Sequence, residues 1–98
     1  VEDGPAVLVP NAFTPDGSGF NDTFKPVVIG IDESTYRFDI FDRWGHVVFS
    51  SISPALGWDG KLPGGTRAMT GVYNWRLKAR SIQTTSKRIQ YGHVTLLQ

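Results

Sequence analysis

An alternation of apolar and polar residues, with no sustained helical period anywhere, is the feature that most constrains the fold of this chain. In residues 71–81, the residues Tyr73, Trp75, Leu77 and Ala79 alternate with polar or charged ones. Successive side chains of a β-strand point to opposite faces, so this pattern predicts a long strand with one buried face. Residues 36–42 show the same alternation. The chain is therefore expected to be all-β.

Turn residues divide the chain into short strands. Gly, Pro, Asn and Asp separate the apolar runs, and Arg43–His46 with Gly45 at its centre is typical of a hairpin turn. About seven short strands with turns at this spacing predict an Ig-like antiparallel β-sandwich. The clearest strands are residues 6–9, 23–29, 36–42, 47–50, 71–81 and 87–97, with polar connections at 30–35 and 82–86.

Gly92 lies where the alternation of the last strand changes phase. Ile89 and Tyr91 share one phase, whereas Val94 and Leu96 share the other. A glycine at such a shift predicts a β-bulge, because the extra residue moves the following side chains to the opposite face.

Composition excludes several classes of function. The 98 residues suit one domain, and a formal net charge of +1 does not favour a nucleic-acid or anionic-membrane partner. There is no cysteine, so disulfides and thiol nucleophiles are excluded, and no apolar run is long enough to span a membrane. The start of the chain, VEDGP, is typical of a cut linker. We expect residues 1–8 to be the end of a linker and the first strand, and residues 9–98 to be a domain of a longer protein.

The loop that follows the first strand combines turn residues with aromatic anchors, and this predicts an ordered loop. Its oxygen-bearing residues have the spacing of half a calcium loop. Side-chain hydrogen bonds of an Asx-rich turn explain the same pattern without a metal. The candidate calcium ligands are Asp16, Ser18, the carbonyl of Phe20, Asn21 and Asp22.

No catalytic site is predicted. Ser18 lies in a glycine-flanked turn with no helix after it, so the strand–turn–helix elbow of a serine nucleophile is missing. Asp42 and Asp59 are expected to cap turns through their side chains. A carbohydrate-binding platform is an alternative, since the sequence is rich in aromatic residues. Its candidates are Tyr36, Trp44, Trp58, Tyr73 and Trp75, of which the alternation turns Tyr36, Tyr73 and Trp75 inward.

Five ordered blocks stand out in the sequence: VPNAFTPDGSGFNDTF from Val9, FDIFDRWG with VVF from Phe38, WDG from Trp58, GVYNW from Gly71 and GHVTLL from Gly92. Together they resemble the gliding motility-associated C-terminal domain, the type B sorting domain of the type IX secretion system of Bacteroidota. The resemblance covers residues 9–98. It departs from the family at Asp16, Ser18 and Gln98, where Asn, Asp and a basic residue are usual, and Ser18 weakens the calcium hypothesis.

The resemblance implies a function that composition does not show. Such a domain forms the C-terminus of a larger passenger protein and directs it through the type IX machinery to the cell surface or the medium. It implies recognition by an outer-membrane protein of the PorP/SprF type, with no catalysis. The alternative is a non-catalytic surface adhesion or carbohydrate-binding module. Candidate partner contacts in the blocks are Asn11, Phe13, Pro15, Arg43, Trp44, Trp58 and Asp59, and each could instead serve the turns or the core.

Overall fold

The computed structural model describes residues 6–15, 23–82 and 87–98, and within them seven strands form two sheets. The smaller sheet pairs β1 with β3, and the larger has the strand order β2-β7-β6-β4-β5. This arrangement confirms the prediction of an all-β, Ig-like sandwich. The strands are β1 (Ala6–Leu8), β2 (Ala12–Phe13), β3 (Val27–Ile29), β4 (Ile31–Phe41), β5 (Val47–Ser51), β6 (Gly71–Ser81) and β7 (Lys87–Leu96).

The two long central strands follow their sequence patterns. In β6, the four alternating residues Tyr73, Trp75, Leu77 and Ala79 are all buried. β4 starts earlier than the alternation predicts, so the expectation that residues 30–35 form only a connection was wrong. Its polar first half is largely exposed and its pairing with β6 is irregular between Asp32 and Arg37. An antiparallel strand tolerates polar residues where its faces meet water, and local alternation is then lost.

The predicted strand at residues 23–29 is shorter than expected. Only Val27–Ile29 forms β3, while Phe24 makes an isolated antiparallel bridge with Trp58. Two backbone hydrogen bonds close this bridge, at 2.8 Å from Phe24 N to Trp58 O and 2.9 Å from Trp58 N to Phe24 O. Pro26 separates the bridge from β3, because its nitrogen cannot donate to a ladder.

Pro10 marks the point where the chain passes from one sheet to the other. β1 before it pairs antiparallel with β3, and β2 after it pairs in parallel with β7. Thr95 N donates to Asn11 O at 2.9 Å, and Leu97 N donates to Phe13 O at 3.0 Å. Strands that switch sheets at a bend close the corners of sandwiches. The parallel pair is a feature that the sequence pattern did not predict.

An almost continuous series of aromatic contacts fills the core. Phe13 stacks on Phe24 with ring centroids 5.6 Å apart and lies 5.5 Å from Trp58. Phe24 continues to Phe38 at 5.7 Å. Aromatic pairs at such separations contribute about 0.5–1.5 kcal/mol each beyond the area they bury. The series connects Phe13, Phe24 and Trp58 to the inner face of the five-stranded sheet. It ends on Trp75, whose ring centroid is 6.0 Å from that of Phe38.

Gly92 does not form the predicted bulge. The β6–β7 register runs without a shift from Gly71 opposite Leu96 to Arg80 opposite Lys87. Ile89 and Tyr91 are therefore on the outer face and are 49% and 71% exposed, whereas Val94 and Leu96 are buried. Gly92 lies opposite Trp75, and a Cβ at this position would come within 2.5 Å of the indole Cε2. The glycine is needed to make room for the indole rather than to bend the strand.

We expect Gly92→Ala to lower the free energy of unfolding by about 1–3 kcal/mol, the usual cost of overpacking a core. The added methyl group would push the Trp75 indole out of its position. Chemical denaturation of the purified domain measures this loss. In a Trp75→Phe background the smaller ring should reduce the penalty, since the two sites are in contact. An equal penalty in both backgrounds would contradict the explanation.

Candidate functional site

The β4–β5 hairpin presents its turn as a rigid unit organised by Asp42. One carboxylate oxygen of Asp42 accepts hydrogen bonds from Trp44 N at 2.9 Å and His46 N at 2.8 Å. The backbone adds bonds from Asp42 N to His46 O and from Gly45 N to Asp42 O. Gly45 has φ of 88°, a conformation that favours glycine. The prediction that Asp42 caps this turn is confirmed.

Trp44 and its neighbours form an exposed apolar surface at this end of the sandwich. The Trp44 side chain is 68% exposed, Met69 75% and Val72 55%. The three line one cavity of about 190 Å³ beside Leu62. The Arg43 guanidinium carbon lies 4.6 Å from the centre of the Trp44 ring, a cation–π contact that restrains the indole. We call Arg43, Trp44, Met69 and Val72 the Trp44 surface.

Tyr73, a buried residue beneath the Trp44 surface, holds the backbone of Met69 in place. Tyr73 donates its hydroxyl to Met69 O at 2.7 Å, and its ring meets Trp58 edge-on at 5.0 Å. Burial raises the pKa of the Tyr73 hydroxyl, and the nearby charge of Asp42 raises it further. The phenol is therefore neutral at physiological pH and acts as a hydrogen-bond donor, holding the backbone beside Met69 in place.

The Trp58–Gly60 turn and the last residue of the chain support one another. Asp59 accepts a hydrogen bond from Lys61 N at 3.1 Å, which confirms its predicted capping role. The Gln98 amide nitrogen donates to Gly60 O and to Ala68 O, both at 3.0 Å. A neutral amide thus stands where the family often has a basic residue, and it ties two loop segments to the end of β7.

Asp39 anchors the hairpin on the outer face of the sheet. Its carboxylate is 1% exposed and accepts hydrogen bonds from Ser50 Oγ at 2.7 Å and Arg76 Nη2 at 2.9 Å. Arg37 adds a third contact at 3.2 Å. Burial raises the pKa of Asp39, but the hydrogen bonds from Ser50, Arg76 and Arg37 outweigh it, so the pKa lies below its ordinary value.

The predicted contact residues separate into surface and core. Trp44, Arg43, Asn11 and Asp59 are exposed, and Pro15 is partly buried. Phe13 and Trp58 are 2% and 1% exposed, so their side chains are core anchors and cannot meet a partner. Their assignment as contact candidates is corrected accordingly, because both rings are covered by other aromatic side chains.

The candidate calcium ligands lie outside the described residues, and calcium binding stays a prediction. They are Asp16, Ser18, Phe20, Asn21 and Asp22.

The aromatic platform of a carbohydrate-binding module is reduced to one residue. The other four candidates, Tyr36, Tyr73, Trp75 and Trp58, are all buried, which leaves Trp44 alone among the five.

Within residues 6–15, 23–82 and 87–98, no three His, Asp or Glu side chains converge as a metal site would require. In the same residues there is no helix with the length and hydropathy to cross a membrane.

Sequence reasoning missed Met69 and Val72 as parts of the Trp44 surface. Met69 lies in the Gly- and Pro-rich connection before β6, and Val72 has the outward phase of that strand. The outward phase of Val72 was available as a signal, since an apolar residue there is exposed. Nothing in the sequence indicated that this connection would lie beside the β4–β5 hairpin.

A comparison with protein families identifies the chain. The model of the CHU_C type IX secretion signal domain matches residues 7–96. The chain belongs to the type IX secretion signal domain family. Membership associates this secretion signal domain with export to the cell surface or the medium, and it agrees with a setting of gliding motility in Bacteroidota. None of the curated proteins compared with it matches.

Two solved structures share the fold of this secretion signal domain. CopC from Methylosinus trichosporium OB3b has a TM-score of 0.60 at 13% identity, over 93% of this chain and 88% of that one. PorZ, an essential surface component of the type IX secretion system of Porphyromonas gingivalis, has a TM-score of 0.51 at 16% identity. The match covers 98% of this chain and 12% of PorZ, so the domain spans a small part of that protein's length.

We expect Asp39→Asn to lower the free energy of unfolding by about 1–2 kcal/mol at pH 7, at the lower end for a charged hydrogen-bond network because both arginines are partly exposed. Because the pKa of Asp39 is depressed by folding, its carboxylate stabilises the domain fully above its unfolded pKa. That contribution is lost as pH falls through the folded pKa.

The difference between parent and variant should therefore shrink in acid. Denaturant titrations at a series of pH values measure it, with Glu33→Gln as the control at an exposed carboxylate. A difference that stays constant from neutral to acid pH would show that the charge of Asp39 does not matter.

Proposed function

We propose that this domain is the address of a larger exported protein, read in its folded state by an outer-membrane partner of the PorP/SprF type. In this proposal, residues 9–98 are the signal domain at the C-terminus of the passenger, and residues 1–8 end the linker and contribute its first strand. The domain carries no chemistry of its own. Its task is to present a fixed surface to the type IX machinery.

The observation that carries the proposal is the exposure of Trp44 in a turn that Asp42 and Gly45 hold rigid. A soluble domain gains no stability from an indole that is 68% in water. Tryptophan and arginine are the residues most often found as energetic anchors of interfaces. Arg43 and Trp44 belong to the same family block, and Met69 and Val72 widen the apolar area around them.

Rigidity supports this role as much as exposure does. A surface that is already ordered loses little conformational entropy when it binds, so more of the contact energy appears as affinity. The capped turn, the cation–π contact of Arg43 and the Tyr73–Met69 hydrogen bond all restrict the Trp44 surface before a partner arrives.

The export role is tested by fusing the domain to the C-terminus of a fluorescent reporter that carries an inner-membrane export signal. In a bacterium with a working type IX system, we expect the reporter at the cell surface or in the medium. In a strain without the translocon it should stay in the periplasm. Periplasmic retention of a correctly folded fusion in the competent strain would refute the proposal.

The partner surface is tested in the same fusion by Trp44→Ala. Loss of about 1.4 kcal/mol of partner binding corresponds to a tenfold weaker complex, and the exported fraction should fall accordingly. Ile52→Ala is the matched control, because Ile52 is equally exposed at 72% but does not line the cavity beside Trp44. Melting temperatures of both purified domains should equal that of the parent. Normal export of the Trp44 variant would exclude this surface as the contact.

A further inference from the structure

Among residues 6–15, 23–82 and 87–98, no strand pairs with most of the outer edge of β7. β2 covers only its end, where Ala12 lies opposite Thr95 and Phe13 opposite Leu96. In the part of the chain that the structure describes, no strand pairs with residues 87–93 on this side. We call residues 87–93 the β7 edge.

The direction of the free backbone groups follows from the pairing at the end of β7. Thr95 N and Leu97 N donate toward β2, away from β6. Backbone groups alternate in direction along a strand, so the N–H and C=O groups of Ile89, Tyr91 and His93 point to the same open side. Three successive donor–acceptor pairs are therefore available at the β7 edge.

The β7 edge has charged residues at its start, Lys87 and Arg88, but lacks two other devices that block such pairing. Natural edges are protected by charged side chains, bulges, prolines or inward-pointing charges. The pairing of β7 with β6 has no register shift, and the sequence of β7 has no proline. On its outer face, Ile89 and Tyr91 offer 49% and 71% exposed apolar side chains. An extended peptide could add here as a further strand, which is a common mode of recognition.

Positively charged side chains near the β7 edge favour an acidic peptide. Lys87 lies opposite Arg80, and Lys78 opposite Ile89, so positive side chains line the sheet face beside the β7 edge. Asp32 lies opposite Arg80 on β4, the neighbour of β6 on the side away from β7. Asp39 already binds Arg37 and Arg76. Like charges on opposite residues are unfavourable, so a second copy of this edge would add repulsion. An acidic strand would relieve it.

We propose that the β7 edge binds an extended acidic segment of a partner protein as an additional strand of the five-stranded sheet. Apolar residues of the segment pack on Ile89 and Tyr91, and its carboxylates lie beside Lys87 and Arg88. This surface is separate from the Trp44 surface and does not rest on the export proposal.

The probe is a capped peptide of the sequence Glu-Glu-Val-Thr-Val-Glu-Glu, which reads the same in either direction. Added to the isotope-labelled domain, it should shift the amide resonances of Ile89, Tyr91 and His93 and slow their hydrogen exchange. A control peptide with lysine in place of every glutamate should bind the domain far more weakly. An acidic peptide with its two valine nitrogens and its threonine nitrogen methylated should lose binding, since central donors toward β7 are then removed in either strand direction. Unchanged resonances at millimolar acidic peptide, or equal binding of the lysine peptide, would overturn the proposal.

Variants of the domain provide a second test. Lys87→Glu should weaken the acidic peptide roughly threefold to tenfold, whereas Lys61→Glu, an equal charge change in a distant loop, should leave it unchanged. Ile89→Pro removes one edge donor at a position where an edge strand tolerates proline, and it should abolish binding if its melting temperature is retained. Trp44→Ala should bind like the parent. Equal loss in the Lys61 and Lys87 variants would reduce the effect to net charge and contradict the proposed strand.

Discussion

The bridge between Phe24 and Trp58 is the interaction on which the rest of this fold depends. It joins the loop after the opening segment to the loop before β6, and two short backbone hydrogen bonds fix their register. Both side chains are 0–1% exposed, so the bridge also inserts two large rings into the core. Phe13, Phe38 and Tyr73 pack against those rings from three different strands. The second sheet has only two strands among the described residues, so the bridged loops complete the cover over the core.

The blocks that mark this family serve both the core and the surface. Phe13, Phe24 and Trp58 are anchors of the aromatic core, although each stands in a conspicuous loop motif. Trp44 belongs to an equally conspicuous motif, yet its ring is mostly in water. The difference lies in what the rings contact: Trp58 packs against Phe13 and Tyr73, whereas the Trp44 ring at the β4–β5 turn lies mostly in water. Burial, rather than motif membership, therefore separates structural residues from candidates for recognition.

The proposed role as a folded address requires an ordered surface, and the described residues supply one. Their polar groups are used mainly to fix geometry: Asp42 and Asp59 cap turns, and Asp39 ties β4 to β5 and β6. The Trp44 surface and the β7 edge lie at different parts of the five-stranded sheet, so one partner contact does not exclude another. Exposed apolar side chains lie at both places.

The sequence by itself determined the all-β class, the inward face of β6, and the capped hairpin at Asp42, because these depend on neighbours within a few residues. Family resemblance added the secretion role, which no local pattern encodes. Only the tertiary structure decided that Trp58 is buried, that Gly92 accommodates Trp75, and that β2 pairs in parallel with β7. Those outcomes depend on which distant segments meet. Alternation shows that a side chain has a face, but only long-range packing decides whether that face is covered.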